Sequence, residues 1–363
     1  MVAARQERIA FARGSLTVIY GGMTDIPSDA KRRPRTISDI AKLAGVHAGT
    51  VSRALADNPL VNAETRARIQ ALADKHGFHP NQMASRLRTQ KTNVVGVVVP
   101  LGHERRQHLS DPFFMTILGH LADELTEGGY DIMLSRVIPD AHDWLERIVD
   151  SGMLDGVLLI GQSDQFDAIE RVAARYRPLV VWGDHVEGQH HCAVGVDNRL
   201  GGVLAGRRLI ERGCRHLAFF GEIRTLELAQ RYEGLKQAAR EAGIAEPVQC
   251  DTHLASDVMA AEIADHLDRL SGRIDGIAAA SDVIAMRSVR VLADRGIAVP
   301  GDIPVVGFDD LPFASQIIPR LTTIRQDVQR GASEMIRALF ARMQGADAPS
   351  VVMRPELALR DSA

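Results

Sequence analysis

From residue 92 onward, short apolar runs at 94–99, 130–134, 156–160, 179–182, 216–220, 274–279 and 304–308 alternate with amphipathic stretches. Those stretches fall at 113–126, 164–175, 198–212, 227–242, 257–270 and 283–295. A run that is apolar on both faces suits a parallel strand covered by helices on both sides, so the alternation predicts βαβ units and parallel sheets. The phrases Leu154-Asp155-Gly156-Val157 and Ile274-Asp275-Gly276-Ile277 recur at matching places and point to two similar lobes.

Ahead of residue 92 the period changes. Ile37, Ile40, Ala41 and Ala44 fall at i, i+3, i+4 and i+7, which gives a short helix one apolar face. Gly45 permits a tight turn, and Val46, Val51 and Leu55 supply the inner side of a second helix. Its outward residues Ala48, Gly49, Ser52 and Arg53 are small or hydrogen-bonding, as entry into a DNA major groove requires. A third helix is expected from an Asn62 cap to Gly77, with Ile69, Leu72 and Ala73 inward. Pro80 forces Phe78 and His79 extended, and 81–88 reads as a basic helix too short to stand alone in water. The layout is that of a DNA-reading head.

Charge sharpens this division. The formal net charge is −3, yet residues 31–91 hold twelve Lys or Arg against four Asp or Glu, and residues 92–363 carry −11. A basic head on an acidic body fits a phosphate-binding module joined to a sensor. Cys192, Cys214 and Cys250 are odd in number and lack CxxC spacing, so neither a disulfide framework, a zinc site nor any other metal or cofactor is expected. The adjacent His190-His191-Cys192 is read as a loop of little meaning. No run is long enough to span a membrane and no secretory leader is evident, which points to the cytoplasm.

At Thr36-Ile37-Ser38-Asp39-Ile40-Ala41, at Ala44-Gly45-Val46-His47-Ala48-Gly49-Thr50-Val51-Ser52-Arg53 and at 78–87, the chain resembles the LacI/GalR family of transcription regulators. The likeness runs from about 36 to 360. Its departures are His47, where the family usually carries a Ser cap, and Gly49, which weakens the recognition helix by roughly 1 kcal/mol relative to Ala. The resemblance implies an N-terminal all-α helix-turn-helix head with a hinge helix, followed by an α/β two-lobed periplasmic-binding-protein-like effector domain. The expected layout is a disordered extension over 1–34, the head over 35–80, hinge helix and linker over 81–91, and the effector-binding and dimerisation domain over 92–363. Within that domain the N-lobe takes about 92–195 and 324–346, and the C-lobe about 196–322 and 347–362. The three crossovers would lie near 195–197, 322–325 and 346–351. DNA contacts are implied at Thr36, Ser38, Thr50, Asn62, Thr65, Asn81, Ala84, Leu87 and Arg88 beside the four outward residues named above.

Ligands of open α/β sheets bind at the carboxyl ends of strands, here the cleft between lobes. The cleft candidates are Asp111, Phe113, Phe114, Trp182, Asp184, Arg231, His253, Ser281, Asp282 and Asp309. Carboxylates with Trp and Phe favour a neutral sugar over a nucleobase, and the resemblance implies that Arg231 grips effector hydroxyls or a carboxylate with its forked donors. The resemblance thus implies a homodimeric repressor of carbohydrate-utilisation genes, binding a near-palindromic double-stranded operator and released by a small sugar. The alternatives are a solute-binding protein or a sugar-modifying enzyme on the same α/β body. Against the enzyme stands the lack of GxGxxG after the first strand, GxxxxGK[ST] and GxSxG.

Overall fold

The computed structural model describes residues 36–78, 91–102, 107–254 and 258–363. The expected extension over 1–34 and the hinge positions Asn81, Ala84, Leu87 and Arg88 lie outside the described residues. The chain divides into two compact units, 1–88 and 89–363.

In the first unit, α1 (Ile37–Ala44) opens on a capping box: Thr36 Oγ1 accepts from Asp39 N at 3.2 Å, and Asp39 Oδ2 accepts from Thr36 N at 3.1 Å. Gly45 closes it in the left-handed conformation at φ 65°, which a side chain adopts only with strain. Helix α2 spans Ala48–Leu55 and α3 spans Ala63–His76, the latter capped by Asn62 Oδ1 and ended by left-handed Gly77. Ile40, Ala41, Ala44, Val51, Ala54, Val61, Ile69, Ala73 and Phe78 form the core, with Leu72 half-buried. Gln70 locks α3 to the end of α2 through the Ala54 carbonyl and Asp57.

The second unit holds two six-stranded sheets. In chain order the strands of the first are β1 (Val94–Pro100), β2 (Asp131–Val137), β3 (Gly156–Ile160), β4 (Leu179–Trp182), β5 (Cys192–Val196) and β11 (Val351–Met353), arranged β11-β5-β4-β3-β1-β2. The second holds β6 (Leu217–Phe220), β7 (Val248–Cys250), β8 (Gly276–Ala279), β9 (Val305–Asp309), β10 (Thr322–Arg325) and β12 (Glu356–Ala358), arranged β12-β10-β9-β8-β6-β7. Apart from the antiparallel β10–β12 pair, every pairing is parallel. Strands such as Gly-Val-Leu-Leu-Ile of β3 are buried at every position, as burial under helices on both faces demands. The helices are α4 (Pro112–Glu127), α5 (Trp144–Val149), α6 (Phe166–Ala173), α7 (Asn198–Glu211), α8 (Leu226–Glu241), α9 (Met259–Arg269), α10 (Asp282–Asp294) and α11 (Val328–Met343).

Two lobe boundaries fall elsewhere than expected. Strand β10 lies wholly in the second sheet, paired to β9 and β12, so the chain crosses back at Gln326 and Asp327 rather than inside 322–325. Strand β11 pairs with β5 in the first sheet, so the third crossover is at Arg354 and Pro355 and not at 346–351. The stretch 347–353 therefore belongs to the N-lobe. Its apolar run is too short to show which sheet it joins, and only pairing decides that.

Candidate functional site

The second helix of the head begins on an unusual cap. His47 sits in extended backbone (φ −71°, ψ 147°), and its Nδ1 accepts from Gly49 N at 3.1 Å. Arg53 folds back along the same helix, its Nε donating to the Gly49 carbonyl at 3.1 Å, and remains exposed. Of the residues expected to face DNA, Thr36, Ser38 and Asn62 are exposed, while Gly49, Thr50, Ser52 and Thr65 are half-buried. Ala48, expected outward, packs partly against the head core, because it lies on the same face of the second helix as Val51 and Leu55, three and seven residues on.

In the second unit, the carboxyl ends of both sheets flank a cleft of about 120 Å³. From the N-lobe, Asp111, Phe113, Phe114 and Trp182 line it. From the C-lobe come Arg231, Ser281 and Asp309, so seven of the ten expected residues meet there. Phe113 stands 5.9 Å from the Trp182 ring and 6.0 Å from Phe114, tilted in both pairs. Asp111 caps α4, accepting Phe113 N at 2.9 Å and Gln107 Nε2 at 3.0 Å. Burial pushes its carboxyl above the usual range, and those two hydrogen bonds oppose the rise.

Arg231, expected in the cleft, is buried at 8% exposure. Nε donates to Asn198 Oδ1 at 2.9 Å and Nη1 to the Ala280 carbonyl at 2.5 Å. The guanidinium carbon lies 3.6 Å from the Phe308 ring centroid, and Nη1 is 3.9 Å from Asp309 Oδ1. Asp309 ends β9 at φ 126° and accepts from Gln326 Nε2 at 2.6 Å. Burial pushes its pKa up to about 7, well above that of a free carboxyl, while Arg231 and Gln326 pull the other way.

Three expected residues fall outside the cleft wall. Asp282 is fully buried, accepting Leu311 N at 2.7 Å and Thr323 Oγ1 at 2.5 Å, so it pins the start of α10 to β10 and to the segment that follows β9. His253 is tied to Glu262 through both its N and its Nδ1, and its neighbour Leu254 lines the cleft. Asp184 is half-buried and turned toward Asn198, with burial raising its pKa.

Sequence reasoning missed Gln107, Ser163, Thr225, Glu227 and Gln326. Glu227 lies four residues before Arg231 on α8, a spacing that puts both on one helix face. Glu227 is half-buried, its carboxylate takes a hydrogen bond from the Gln162 main chain, and its inaccessible Oε1 has no partner among the described residues. The His190–His191 pair has a structural role after all. Gln162 Nε2 donates to His191 Nε2 at 3.3 Å and to the Asp184 carbonyl, which fixes the His191 proton on Nδ1, and Nδ1 donates to Glu170 Oε1 at 2.6 Å. Glu170 also takes His190 N, His191 N and His190 Nδ1. Burial alone would raise Glu170, but these donors hold it down to about 2.

Residues 36–81 match the profile described as bacterial regulatory proteins, lacI family, and residues 207–363 match a periplasmic binding protein-like domain. The chain is 31% identical over 352 residues to the HTH-type transcriptional regulator CelR of Thermobifida fusca, covering 92% of this chain and 99% of that one. It is 29% identical over 334 residues to the regulator RegA of Clostridium saccharobutylicum, covering 90% and 98%. Among solved structures, a CelR–cellobiose complex superposes with TM-score 0.65 at 28% identity, over 91% of this chain and 100% of that one. The lac repressor dimer bound to operator and the anti-inducer ONPF superposes with TM-score 0.78 at 23% identity, over 91% and 99%, a likeness of fold.

Proposed function

Because the chain belongs to the lacI family of bacterial regulatory proteins and is a DNA-binding transcription regulator, we propose that it represses carbohydrate-utilisation genes and leaves its operator when a small neutral sugar fills the cleft. The cleft wall carries the argument. Asp111, Glu227 and Asp309 set three carboxyl groups against Arg231, the one cation among the described lining residues, and two of that cation's donors are already engaged. A phosphate or carboxylate ligand would add charge to this acidic wall. Sugar hydroxyls instead offer donors to Glu227 Oε1 and Asp309, and the Phe113–Trp182 pair offers faces for the C–H side of a ring. The cellobiose complex of CelR supports a carbohydrate of that kind.

The same reading gives a homodimer on a near-palindromic operator, one recognition helix in each of two successive major grooves. Phe313, Ile318 and Leu359 are large exposed apolar side chains on the C-lobe, and Ile318 is 95% exposed, as a self-complementary contact would require. Leu87 of the hinge acts as the wedge at the operator centre. Among the described residues no helix is long and apolar enough to cross a membrane, and a reader of chromosomal DNA works in the cytoplasm. Release requires a coupling of only about 1–3 kcal/mol between cleft and head.

The experiment is a thermal-shift screen of the full chain against neutral mono- and disaccharides, sugar phosphates and nucleobases, followed by operator titration with each hit. A neutral sugar is expected to raise the melting point by mass action and to weaken operator binding over the same concentration range. A shift from sugar phosphates or nucleobases alone refutes the proposal.

A further inference from the structure

The recognition helix carries a donor that the outward-facing positions do not include. A main-chain N–H can only donate, so the 3.1 Å bond from Gly49 N makes His47 Nδ1 an acceptor and places the proton of the neutral ring on Nε2. The ring is exposed. We infer that His47 reads a base edge through Nε2–H while its Nδ1 caps the helix, and that Gly49 serves as the space these two jobs need. This rests on the DNA-reading assignment of the head.

Gly49 supplies the second observation. A Cβ there would stand 3.3 Å from His47 Nδ1 and 3.8 Å from Arg53 Nη2, tighter than ordinary contact for the imidazole. One point in space is thus bordered by both the imidazole and the guanidinium, which sets the two donors side by side on one face. Arg53 spends its Nε on the Gly49 carbonyl, which fixes the direction of its remaining donors. In helix-turn-helix docking the first residues of the second helix meet base edges, and a lone N–H donor matches the adjacent N7 and O6 acceptors of guanine. Ser at position 47 keeps a capping oxygen and is too short to offer this second, outward N–H. Gly49, placed by sequence among the base readers, acts through its neighbours.

The test selects binding sites for the full chain from a pool of randomised inverted repeats, for wild type, His47→Ser, His47→Asn and Gly49→Ala. Ser and Asn retain an acceptor for Gly49 N–H, so the head should keep its melting behaviour in both. Wild type is expected to prefer guanine at one symmetric pair of positions, His47→Ser to lose that preference by roughly fivefold, the worth of one hydrogen bond, and His47→Asn, whose shorter side chain still carries Nδ2–H donors, to lose part of it. Gly49→Ala should lose the same preference at the same positions, and adding it to His47→Ser should change that preference no further. An unchanged consensus in both His47 variants overturns the inference and leaves His47 a cap only. An equal loss of affinity on all sequences assigns Nε2–H to phosphate and overturns the base-reading claim. Failure of wild type to select any sequence is separate, and refutes the DNA-reading assignment itself.

Discussion

Replacing Arg231 by Met keeps much of the side-chain stem beside Phe308 and removes the guanidinium. Asn198 Oδ1 and the Ala280 carbonyl lose charged donors, the Phe308 face loses its cation, and Asp309 keeps its burial without its counter-charge. Removing one partner of a buried ion pair costs about 3–5 kcal/mol. The 3.9 Å separation from Asp309 is long, and Met restores some packing, so the lower end applies: about 3 kcal/mol.

The loss should depend on pH, with a definite sign. Asp309 has a raised native pKa, so the native state holds a proton that the unfolded chain has released, and stability falls as pH climbs from the unfolded value toward the native one. Arg231 limits that rise in the wild type. In Arg231→Met the window extends upward, with a slope of up to about 1.4 kcal/mol per pH unit. Trp144 and Trp182 are the only tryptophans and both lie in the second unit, so urea unfolding followed by their fluorescence reports that unit without signal from the head. A loss below 1 kcal/mol, or a variant–wild-type difference identical at pH 6 and pH 8.5, refutes this account of Arg231. It would then serve the cleft without holding the lobe together.

Gly202→Ala puts a Cβ 1.9 Å from the Arg231 carbonyl oxygen and must push α7 off α8, at a cost of about 2 kcal/mol or more, whereas Gly119→Ala meets nothing within 4 Å and should not destabilise; equal melting points for the two would contradict the packing. Glu170→Gln should cost about 1–2 kcal/mol at neutral pH. Glu170 has a lowered native pKa, so its contribution is present above about 4.3 and disappears as pH falls toward 2, and the gap between variant and wild type should close there. A gap that persists to pH 2 would count against the donor cluster. Phe113→Ala should weaken binding of the sugar found in the screen by about tenfold and leave effector-free operator affinity alone, checked by paired titrations.

The head was legible in the chain because its signals are local. The Thr36–Asp39 box, the Gly45 and Gly77 stops and the 3.6-residue period act within one or two turns, and His47 stood out as a departure at a cap. Strands β1, β3 and β4 were legible for a related reason, since burial on both faces leaves continuous apolar runs. Strand β5 was not: its Gly195 and the preceding histidines break the run, and it is held by pairing to β4 and β11. Helix α11 was hidden by Gly331, whose lack of a side chain lets the helix close on Trp182, where a Cβ would stand 2.1 Å from the ring. The roles of the acidic residues were least legible. Asp282 and Asp309 look alike as chain, each at the end of an apolar run beside a second polar residue, yet one is sealed by Thr323 and Leu311 and the other opens on the cleft beside Arg231. Sequence alone determined the order of elements and the chemistry available at strand ends. Only tertiary structure decided which carboxylate is spent on the fold and which faces a ligand, because that choice depends on partners distant in the chain, 29 and 41 residues away for Asp282.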